Sequence, residues 1–536
     1  MKILFVLPEY LPRMGGGIIT NFSSLMPWLA RAGHEVSVIY GSSFVNTPGG
    51  GKSTINGIEV EVLDTNLYAK FIPRFGRYET VPKLQRHLAA AWALWEQAQR
   101  NPPPDIVQVT DWGLLFLPWA LREGPPVVAS LHGSIGQIAQ LDPLEGDRAA
   151  DAIIQLIEVL GLSAIDSVIT HSTNNVRFWT QKLARKVDLI RPVFVPENLP
   201  HEPGERTGRG LVIGRVQRWK GPHILCEALH LLGQGAPEID WIGRDVPIHK
   251  SNGSTARHLS QTWPDVWGKK IHHLPEESPA QIRERQLTAG FVVVPSTWDV
   301  FNFTCVEAMT AGAPVICSSG VGASDLIENG VTGFVYEPTS GPSLAENIDR
   351  LLAMSPHHRS ELGNAGAKAI KQALAPETVL PARLDLYHAL SSQARKPLPV
   401  DDELINICSP AEATTSLDAS LNEIALRRLL VHSMPIRLTP IPTRSSVWMD
   451  VLTREDLPFP QSLPEFQRFF PDDAACAAYL EKARWHDGFV CPRCGVVGEP
   501  FRFEVRPGVL RCRACRKDVS LMAGTVMERS HAPLST

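Results

Sequence analysis

The chain has 536 residues, a net charge of −4 and an ordinary globular composition, with 44% hydrophobic and 20% charged residues. This length exceeds what one hydrophobic core supports and predicts two to four domains. The near-neutral charge disfavours a protein that binds nucleic acid along its whole length. No apolar run approaches the roughly 18 residues of a membrane span, and the N-terminal run is too short for a signal peptide, so we expect a cytoplasmic protein.

Short apolar runs alternate with helix-length segments in the first part of the chain, for example at residues 21–32 and 150–160. This alternation is typical of a parallel sheet with crossover helices. The predicted strands are 3–7, 36–40, 60–63, 106–109, 127–131 and 167–170.

The same pattern then starts again, with predicted strands at 211–216, 240–243, 271–274, 291–294, 314–317 and 333–336. Two doubly wound sheets in tandem leave a cleft between them. Ligands of such sheets bind outside the carboxyl ends of the strands. The cleft is therefore the predicted active site.

The alternation stops after about residue 396. Residues 397–462 are rich in Pro, Ser and Thr and are predicted to be a poorly ordered linker with one amphipathic helix at 421–431. A compact module is predicted to begin near residue 463.

A glycine-rich loop, Gly15-Gly16-Gly17, follows the first strand and precedes a helix. Glycines there let the backbone approach a diphosphate, and the helix N-terminus offers free N–H groups and a positive dipole end. A tight turn without any ligand explains the same pattern equally well.

Four charged residues stand near the predicted strand ends of the second sheet. Arg215 and Lys220 follow the strand at 211–216 and suit a leaving diphosphate, although both could be solvated loop residues. Asp299 and Glu307 are two carboxylates that flank the start of a helix and could accept hydrogen bonds from sugar hydroxyls.

These segments, with Arg31-Ala32-Gly33-His34-Glu35-Val36 and Gly330-Val331-Thr332-Gly333, resemble the retaining glycosyltransferases of family 4 (group 1) from residue 1 to about 395. The resemblance implies the α/β GT-B fold, two Rossmann-like domains facing a cleft. It also implies transfer of a sugar from a nucleotide diphosphate-sugar to an acceptor, a glycan, lipid-linked sugar or small molecule, with retention and without a catalytic metal. The predicted domains are an acceptor domain at 1–190, a donor domain at 191–375 and a return helix at 376–396.

The resemblance also implies roles for the candidate residues. Arg215 and Lys220 would bind the donor diphosphate, and Gly16 would donate its backbone N–H near the phosphates. Glu307 would hold the ribose hydroxyls of the nucleotide.

Two further candidates concern the donor sugar. Asp299 would contact the sugar where the family usually has glutamate, and His132 matches a family histidine near the sugar, although a packed polar residue is the simpler interpretation. Asn302 stands where glycine is common. Together, the shorter Asp299 and Asn302 are expected to shift donor preference or to weaken the enzyme.

Residues 70–86 combine basic and aromatic side chains. Such a stretch could touch the inner face of a membrane that carries a lipid-linked acceptor. The alternative is a solvated loop with its own small core.

Two C-x₂-C pairs near the C-terminus, Cys491/Cys494 and Cys512/Cys515, have the spacing of a tetrahedral structural Zn²⁺ site. A redox role is disfavoured because neither pair has a thioredoxin-like context. All four ligands would come from protein, so this zinc has no open position for catalysis.

Residues 463–534 resemble the N-terminal zinc ribbon of insertion-sequence transposases, on Phe469-Phe470-Pro471-Asp472, Arg484-Trp485, Asp487–Cys494 and Ala523-Gly524-Thr525. No nuclease domain follows, so transposition is not expected, and a bacterial-type gene fusion with a mobile element explains the module. Its basic, aromatic composition is compatible with weak DNA contact. The alternative for the whole chain is a DNA-binding protein that keeps the transferase part as an inactive scaffold.

Overall fold

The computed structural model describes residues 1–12, 16–43, 51–141, 148–196, 206–246, 253–392, 402–411, 468–485, 489, 491, 496–503 and 506–521. The chain divides into two compact units, Met1–Leu426 and Arg427–Thr536. The larger unit contains two sheets, which we assign to a first lobe (residues 1–196 with 376–411) and a second lobe (residues 206–374).

The first lobe contains an eight-stranded sheet in the order β3-β4-β2-β1-β5-β6-β7-β8, parallel except for the edge strand β3. Its strands are β1 (Lys2–Leu7), β2 (Glu35–Tyr40), β3 (Gly51–Ile55), β4 (Ile58–Val62), β5 (Ile106–Thr110), β6 (Val127–Ser130), β7 (Ser167–Thr170) and β8 (Asp188–Leu189). The crossover helices are α1 (Gly17–Arg31), α2 (Thr65–Phe71), α3 (Pro82–Ala98), α4 (Leu117–Leu121), α5 (Ile135–Leu141), α6 (Arg148–Ser163) and α7 (Thr173–Leu183).

The second lobe contains a six-stranded parallel sheet in the order β11-β10-β9-β12-β13-β14. Its strands are β9 (Gly210–Ile213), β10 (Ile239–Ile242), β11 (Ile271–Leu274), β12 (Phe291–Val294), β13 (Val315–Ser318) and β14 (Phe334–Tyr336). The helices are α8 (Pro222–Leu232), α9 (Thr255–Thr262), α10 (Pro279–Thr288), α11 (Phe303–Thr310), α12 (Gly341–Ala353) and α13 (Pro356–Ala373).

Both sheets reverse their strand order at one point, between β1 and β5 in the first lobe and between β9 and β12 in the second. Such switch points open a crevice at the carboxyl ends of the strands. The prediction of two doubly wound sheets is therefore confirmed, and each predicted strand has a counterpart among β1–β14.

Helix α14 (Pro376–Ser391) leaves the second lobe and packs on the first. Val379 and Tyr387 are buried with β1 and α1 side chains such as Phe5 and Phe22. The Tyr387 hydroxyl donates to Gln108 of β5 at 2.7 Å. The two lobes are thus connected twice by the chain.

A short helix, α15 (Asp402–Cys408), also belongs to the first lobe. Ile407 is buried, and its carbonyl accepts hydrogen bonds from Tyr78 Oη at 2.8 Å and Arg77 Nη2 at 2.7 Å. Trp92 Nε1 donates to the carbonyl of Cys408 at 2.7 Å. We predicted a poorly ordered linker from residue 397, but residues 402–411 are instead docked on α3 and its neighbours. The predicted helix at 421–431 lies outside the described residues.

The aromatic side chains of residues 70–86 are buried, which removes the basis for the predicted membrane contact. Phe71, Phe75 and Tyr78 are at most 2% exposed, and Arg77 is turned toward the α15 carbonyls. The alternative of a stretch with its own small core fits these contacts. No helix in the described part of the chain is long and apolar enough to cross a membrane.

The smaller unit packs helix α16 (Asp473–Arg484) on a three-stranded antiparallel sheet, in the order β15-β16-β17. The strands are β15 (Phe501–Phe503), β16 (Arg506–Arg511) and β17 (Asp518–Ser520). Its small core contains Phe489, Leu510, Val519 and two cysteines, Cys491 and Cys512.

Candidate active site

The loops that follow β9 and β12 lie against each other at the switch point of the second lobe. The backbone N–H of Thr297 donates to the carbonyl of Trp219 at 2.9 Å. Gly221 has a φ of 74°, and a Cβ there would lie 1.8 Å from the carbonyl oxygen of Pro295. Only glycine allows this approach, so Gly221 brings Lys220 to the end of β12.

Lys220 and Asp299, predicted separately, form an ion pair in this crevice. Lys220 Nζ lies 2.7 Å from Asp299 Oδ2, and both side chains are largely buried, with 17% and 18% exposed. The ammonium also lies 4.0 Å from the centre of the Trp219 ring, a cation–π contact. The two groups predicted to contact diphosphate and sugar are therefore adjacent.

Asn302 precedes α11 and contacts the same carboxylate. Its φ of 73° is left-handed, which explains why glycine is common at this position and why asparagine can replace it. The side-chain oxygen accepts a hydrogen bond from the N–H of Cys305 at 3.0 Å, and Nδ2 donates to Asp299 Oδ2 at 3.0 Å.

The N-termini of α1 and α11 meet across the cleft. Gly16 is the N-cap of α1, with a φ of 97°, and a Cβ on Gly17 would lie 3.7 Å from the ring of Phe303, the first residue of α11. The N–H groups of a first helical turn have no partner within the helix, so two converging helix N-termini create a positive field. This point suits a bound diphosphate.

His132 lies on the first-lobe side of the same region. Its ring is 5.2 Å from Phe22 and 4.8 Å from His171, whose ring is 6.2 Å from Phe301 of the second lobe. Burial and the nearby His171 and Arg383 lower the pKa of His132 well below its ordinary value. The imidazole is therefore neutral at physiological pH and can donate one hydrogen bond and accept another.

Two buried carboxylates hold the backbone of the His132 loop. Asp111 accepts the N–H groups of His132 at 2.8 Å and Gly133 at 3.1 Å, and Glu158 accepts those of Ile135 and Gly136. Burial raises the pKa of Asp111 to about 7 and that of Glu158 to about 8. Neither residue was predicted from the sequence, although Asp111 lies two positions beyond the predicted strand at 106–109 and that position is a usable signal.

Glu307 lies in α11, one and a half turns beyond Asn302. Its carboxyl group is hydrogen-bonded to Gln286, and Arg283 adds a favourable charge, but burial dominates and raises the pKa of Glu307 to about 7. A carboxylate that ionises near neutrality can accept two ribose hydroxyls when ionised.

The structure brings four predicted residues into one region: Lys220, Asp299, Gly16 and His132. Arg215, beyond the end of β9, has an exposed side chain. The arrangement offers cations and helix N-termini for an anion, together with a carboxylate and a neutral imidazole for hydroxyl groups.

A second feature missed from the sequence joins the two lobes. Asp325 of the second lobe accepts hydrogen bonds from Thr173 of α7 and from Arg191. Asn174 donates to the carbonyl of Ser319 at 2.9 Å. These contacts connect residues more than 130 positions apart, so no local sequence pattern predicts them.

In the smaller unit, the sulfur atoms of Cys491, Cys512 and Cys515 lie within 4.8 Å of one another. The Cys491 and Cys515 sulfurs are 3.7 Å apart, close to the roughly 3.8 Å that tetrahedral Zn–S bonds of about 2.3 Å require. The fourth predicted ligand, Cys494, lies outside the described residues. The thiols that are described fit a zinc ion.

Comparison with known families gives three matches. The family of group 1 glycosyl transferases matches residues 201–369, and a glycosyl transferase 4-like domain matches residues 16–192. A transposase zinc-ribbon domain matches residues 471–518.

Individual relatives are distant but extend over the larger unit. Spore coat protein SA of Bacillus subtilis is 23% identical over 406 residues, 72% of this chain and 99% of the relative. D-inositol 3-phosphate glycosyltransferase of an Arthrobacter species is 23% identical, over 70% of this chain and 91% of the relative. Sucrose-phosphate synthase of Thermosynechococcus elongatus, 20% identical, superposes with a TM-score of 0.55 over 74% of this chain and all of that structure, which shows the shared GT-B fold.

Proposed function

Since residues 16–369 of the chain belong to the group 1 glycosyltransferases, we propose that it is a retaining enzyme that uses a nucleotide diphosphate-sugar as donor. The observation that carries this proposal is the ion pair of Lys220 and Asp299 beside the N-terminus of α11. A cation for the diphosphate and a carboxylate for the sugar are thereby held at one point. The acceptor is a hydroxyl compound that approaches from the first lobe.

In the proposed reaction the bond between the anomeric carbon and the diphosphate oxygen breaks, and the electron pair leaves with the nucleoside diphosphate. Lys220, Arg215 and the two helix N-termini stabilise this negative charge. The acceptor oxygen forms its bond on the same face of the sugar, and its proton passes to the departing phosphate. Asp299 and His132 position the sugar hydroxyls, and Glu307 holds the ribose.

The proposed mechanism requires no divalent metal, because the cationic side chains and helix N-termini neutralise the leaving group. We also propose that the smaller unit binds one structural Zn²⁺ through Cys491, Cys494, Cys512 and Cys515. The module is an appended fragment, and a cytoplasmic location suits buried free thiols such as Cys226 and Cys305.

The DNA-binding alternative gains little from the smaller unit. Two of its arginines are offset by acidic neighbours: Arg502 pairs with Glu481 at 2.6 Å, and Arg511 pairs with Asp518 at 2.6 Å. Paired arginines have less charge available for phosphate contacts.

The test incubates the full chain with UDP-glucose, UDP-N-acetylglucosamine, GDP-mannose and ADP-glucose, with and without EDTA. Release of nucleoside diphosphate measures turnover, and proton NMR of the freed sugar before mutarotation reports the anomer. The α-anomer from an α-linked donor, at an unchanged rate in EDTA, is the expected result. Release of the β-anomer, or a requirement for Mg²⁺, would overturn the corresponding part of the proposal.

A further inference from the structure

Asn302 connects a helix end to the carboxylate at the proposed sugar site. Its left-handed backbone, with a φ of 73°, turns the chain between Asp299 and α11. Its side-chain oxygen caps α11 on the N–H of Cys305, and its amide nitrogen points the other way, to Asp299 Oδ2. A glycine at this position could make the turn but neither side-chain contact.

These contacts fix the orientation of the Asp299 carboxylate. Oδ2 accepts two hydrogen bonds, from Lys220 Nζ at 2.7 Å and from Asn302 Nδ2 at 3.0 Å. In the described part of the chain no group donates to Oδ1 of Asp299. The carboxylate therefore has one oxygen committed to the protein and one available for a ligand.

We propose that Asn302 is a positioning residue that holds Asp299 Oδ1 toward the donor sugar and thereby sets which sugars the enzyme accepts. The inference rests on the proposed function. Without Nδ2, only Lys220 would restrain Asp299, and that ammonium must also serve the diphosphate. With Nδ2, the carboxylate stays in place when the phosphate draws Lys220 away.

Asn302 and the shorter Asp299 side chain also form a matched pair. A glutamate in place of Asp299 would need room for one more methylene, and the Asn302 amide lies 3.0 Å from the carboxylate. Asn302→Gly would clear that room. The double variant Asp299→Glu with Asn302→Gly should therefore accept the longer carboxylate, whereas Asp299→Glu alone should not.

The experiment measures kcat and KM of the full chain for UDP-glucose, UDP-N-acetylglucosamine, GDP-mannose and ADP-glucose, together with the Kd of UDP. Loss of a hydrogen bond to a charged group changes a rate or binding constant by about 10- to 100-fold. Asn302→Gly should lower kcat on the best donor by about 10-fold. It should also narrow the differences in kcat/KM among the four donors. Its Kd for UDP should change less than about 2-fold, because UDP lacks the transferred sugar that Asp299 would contact.

Asn302→Asp is the matched control for a purely structural role. Aspartate caps helices as well as asparagine and also tolerates left-handed φ, but it has no N–H donor and places a second negative charge beside Asp299. Its kcat should fall at least as far as that of Asn302→Gly while its thermal unfolding midpoint stays close to that of the wild type.

The outcomes are distinguishable. If both Asn302 variants keep the wild-type kcat and donor ranking, the residue only caps the helix. The same conclusion follows if kcat falls in Asn302→Gly but not in Asn302→Asp. A double variant whose kcat is merely the product of the two single losses would contradict the matched pair. If the wild type itself neither releases nucleoside diphosphate nor binds UDP, the proposed function falls and this inference falls with it.

Discussion

Asp325 accepts a hydrogen bond from the backbone N–H of Thr173 at 2.8 Å, so a carboxylate of the second lobe caps a helix of the first. The Thr173 hydroxyl donates to the other oxygen at 2.7 Å, and Arg191 Nη1 lies 2.9 Å from Oδ2. The cap joins a helix N-terminus, a carboxylate and a guanidinium at the lobe interface, and both charged side chains are mostly buried.

We expect Asp325→Ala to weaken the contact between the two lobes. The loss of about 1–3 kcal/mol of charge-assisted hydrogen bonding should lower Tm by a few degrees and enlarge the radius of gyration measured by X-ray scattering. Asp349→Ala, which removes an exposed carboxylate of α12, is the control. Unchanged scattering and Tm in Asp325→Ala would show that other contacts hold the lobes.

We expect Lys220→Ala to lower kcat by about 10²–10³, the usual effect of removing one group that stabilises developing charge. It also leaves the largely buried Asp299 without its cation. Arg218→Ala removes an exposed charge from the same loop and should change kcat by less than about 2-fold in a nucleoside diphosphate release assay. Near-normal turnover by Lys220→Ala would refute its assignment to the leaving group.

Donor binding should depend on pH through Glu307. Because burial raises the pKa of Glu307 to about 7, the ionised form that accepts ribose hydroxyls accumulates as the pH rises, and the donor KM should fall between about pH 6 and 8. Glu307→Gln should show a high KM without this dependence. A wild-type KM profile that is flat in this range would contradict the ribose assignment.

Glu307 should also make the free energy of unfolding depend on pH. The unfolded chain loses the Glu307 proton near its ordinary pKa of 4.5, whereas the folded chain keeps it until about 7. The free energy of unfolding therefore falls with rising pH in this window relative to Glu307→Gln, which denaturant titrations at several pH values can measure.

Truncation tests whether the larger unit needs helix α15 but not the chain that follows it. A chain of residues 1–411 should fold and retain turnover, whereas residues 1–396 should lose stability. The shorter form lacks Leu404 and Ile407, and the burial of each of these side chains contributes about 1.5–3 kcal/mol. It also leaves Tyr78 and Trp92 without their carbonyl acceptors. Equal Tm values for the two forms would show that α15 is dispensable.

Metal analysis of the full chain should find about one Zn²⁺ per molecule, and none in the double variant Cys491→Ser with Cys515→Ser. Chelation should unfold the smaller unit, because its few buried side chains cannot supply an adequate core. Donor turnover should persist in both cases. Loss of turnover on zinc removal would make the smaller unit part of the enzyme.

Most of the parallel strands were predictable because they contain short apolar runs, and β5, β6, β7, β12 and β13 are buried on both faces. The two-residue parallel strand β8 was missed because it is too short to form such a run. Strand β3 was missed since its side chains are mostly exposed and lack that signal. Helix α15 was missed because it spans only seven residues between segments rich in Pro, Ser and Thr.

At the site, Lys220 and Asp299 were predictable since both follow strands whose carboxyl ends meet at the switch point. Their direct pairing was not, because it depends on the close approach of Gly221 to Pro295. The role proposed for Asn302 was not predictable either. The sequence shows an unusual residue at this position, but the role depends on the backbone dihedral and on the two hydrogen bonds of its side chain.

The docking of α15 makes the first lobe discontinuous along the chain, since Trp92 meets Cys408 across 316 positions. During translation at about 5–20 residues per second, α3 must wait on the order of tens of seconds for this partner. Until then an apolar surface around Trp92 and Tyr78 stays uncovered on the nascent chain. A segment made after both sheets thus completes the lobe that emerged first.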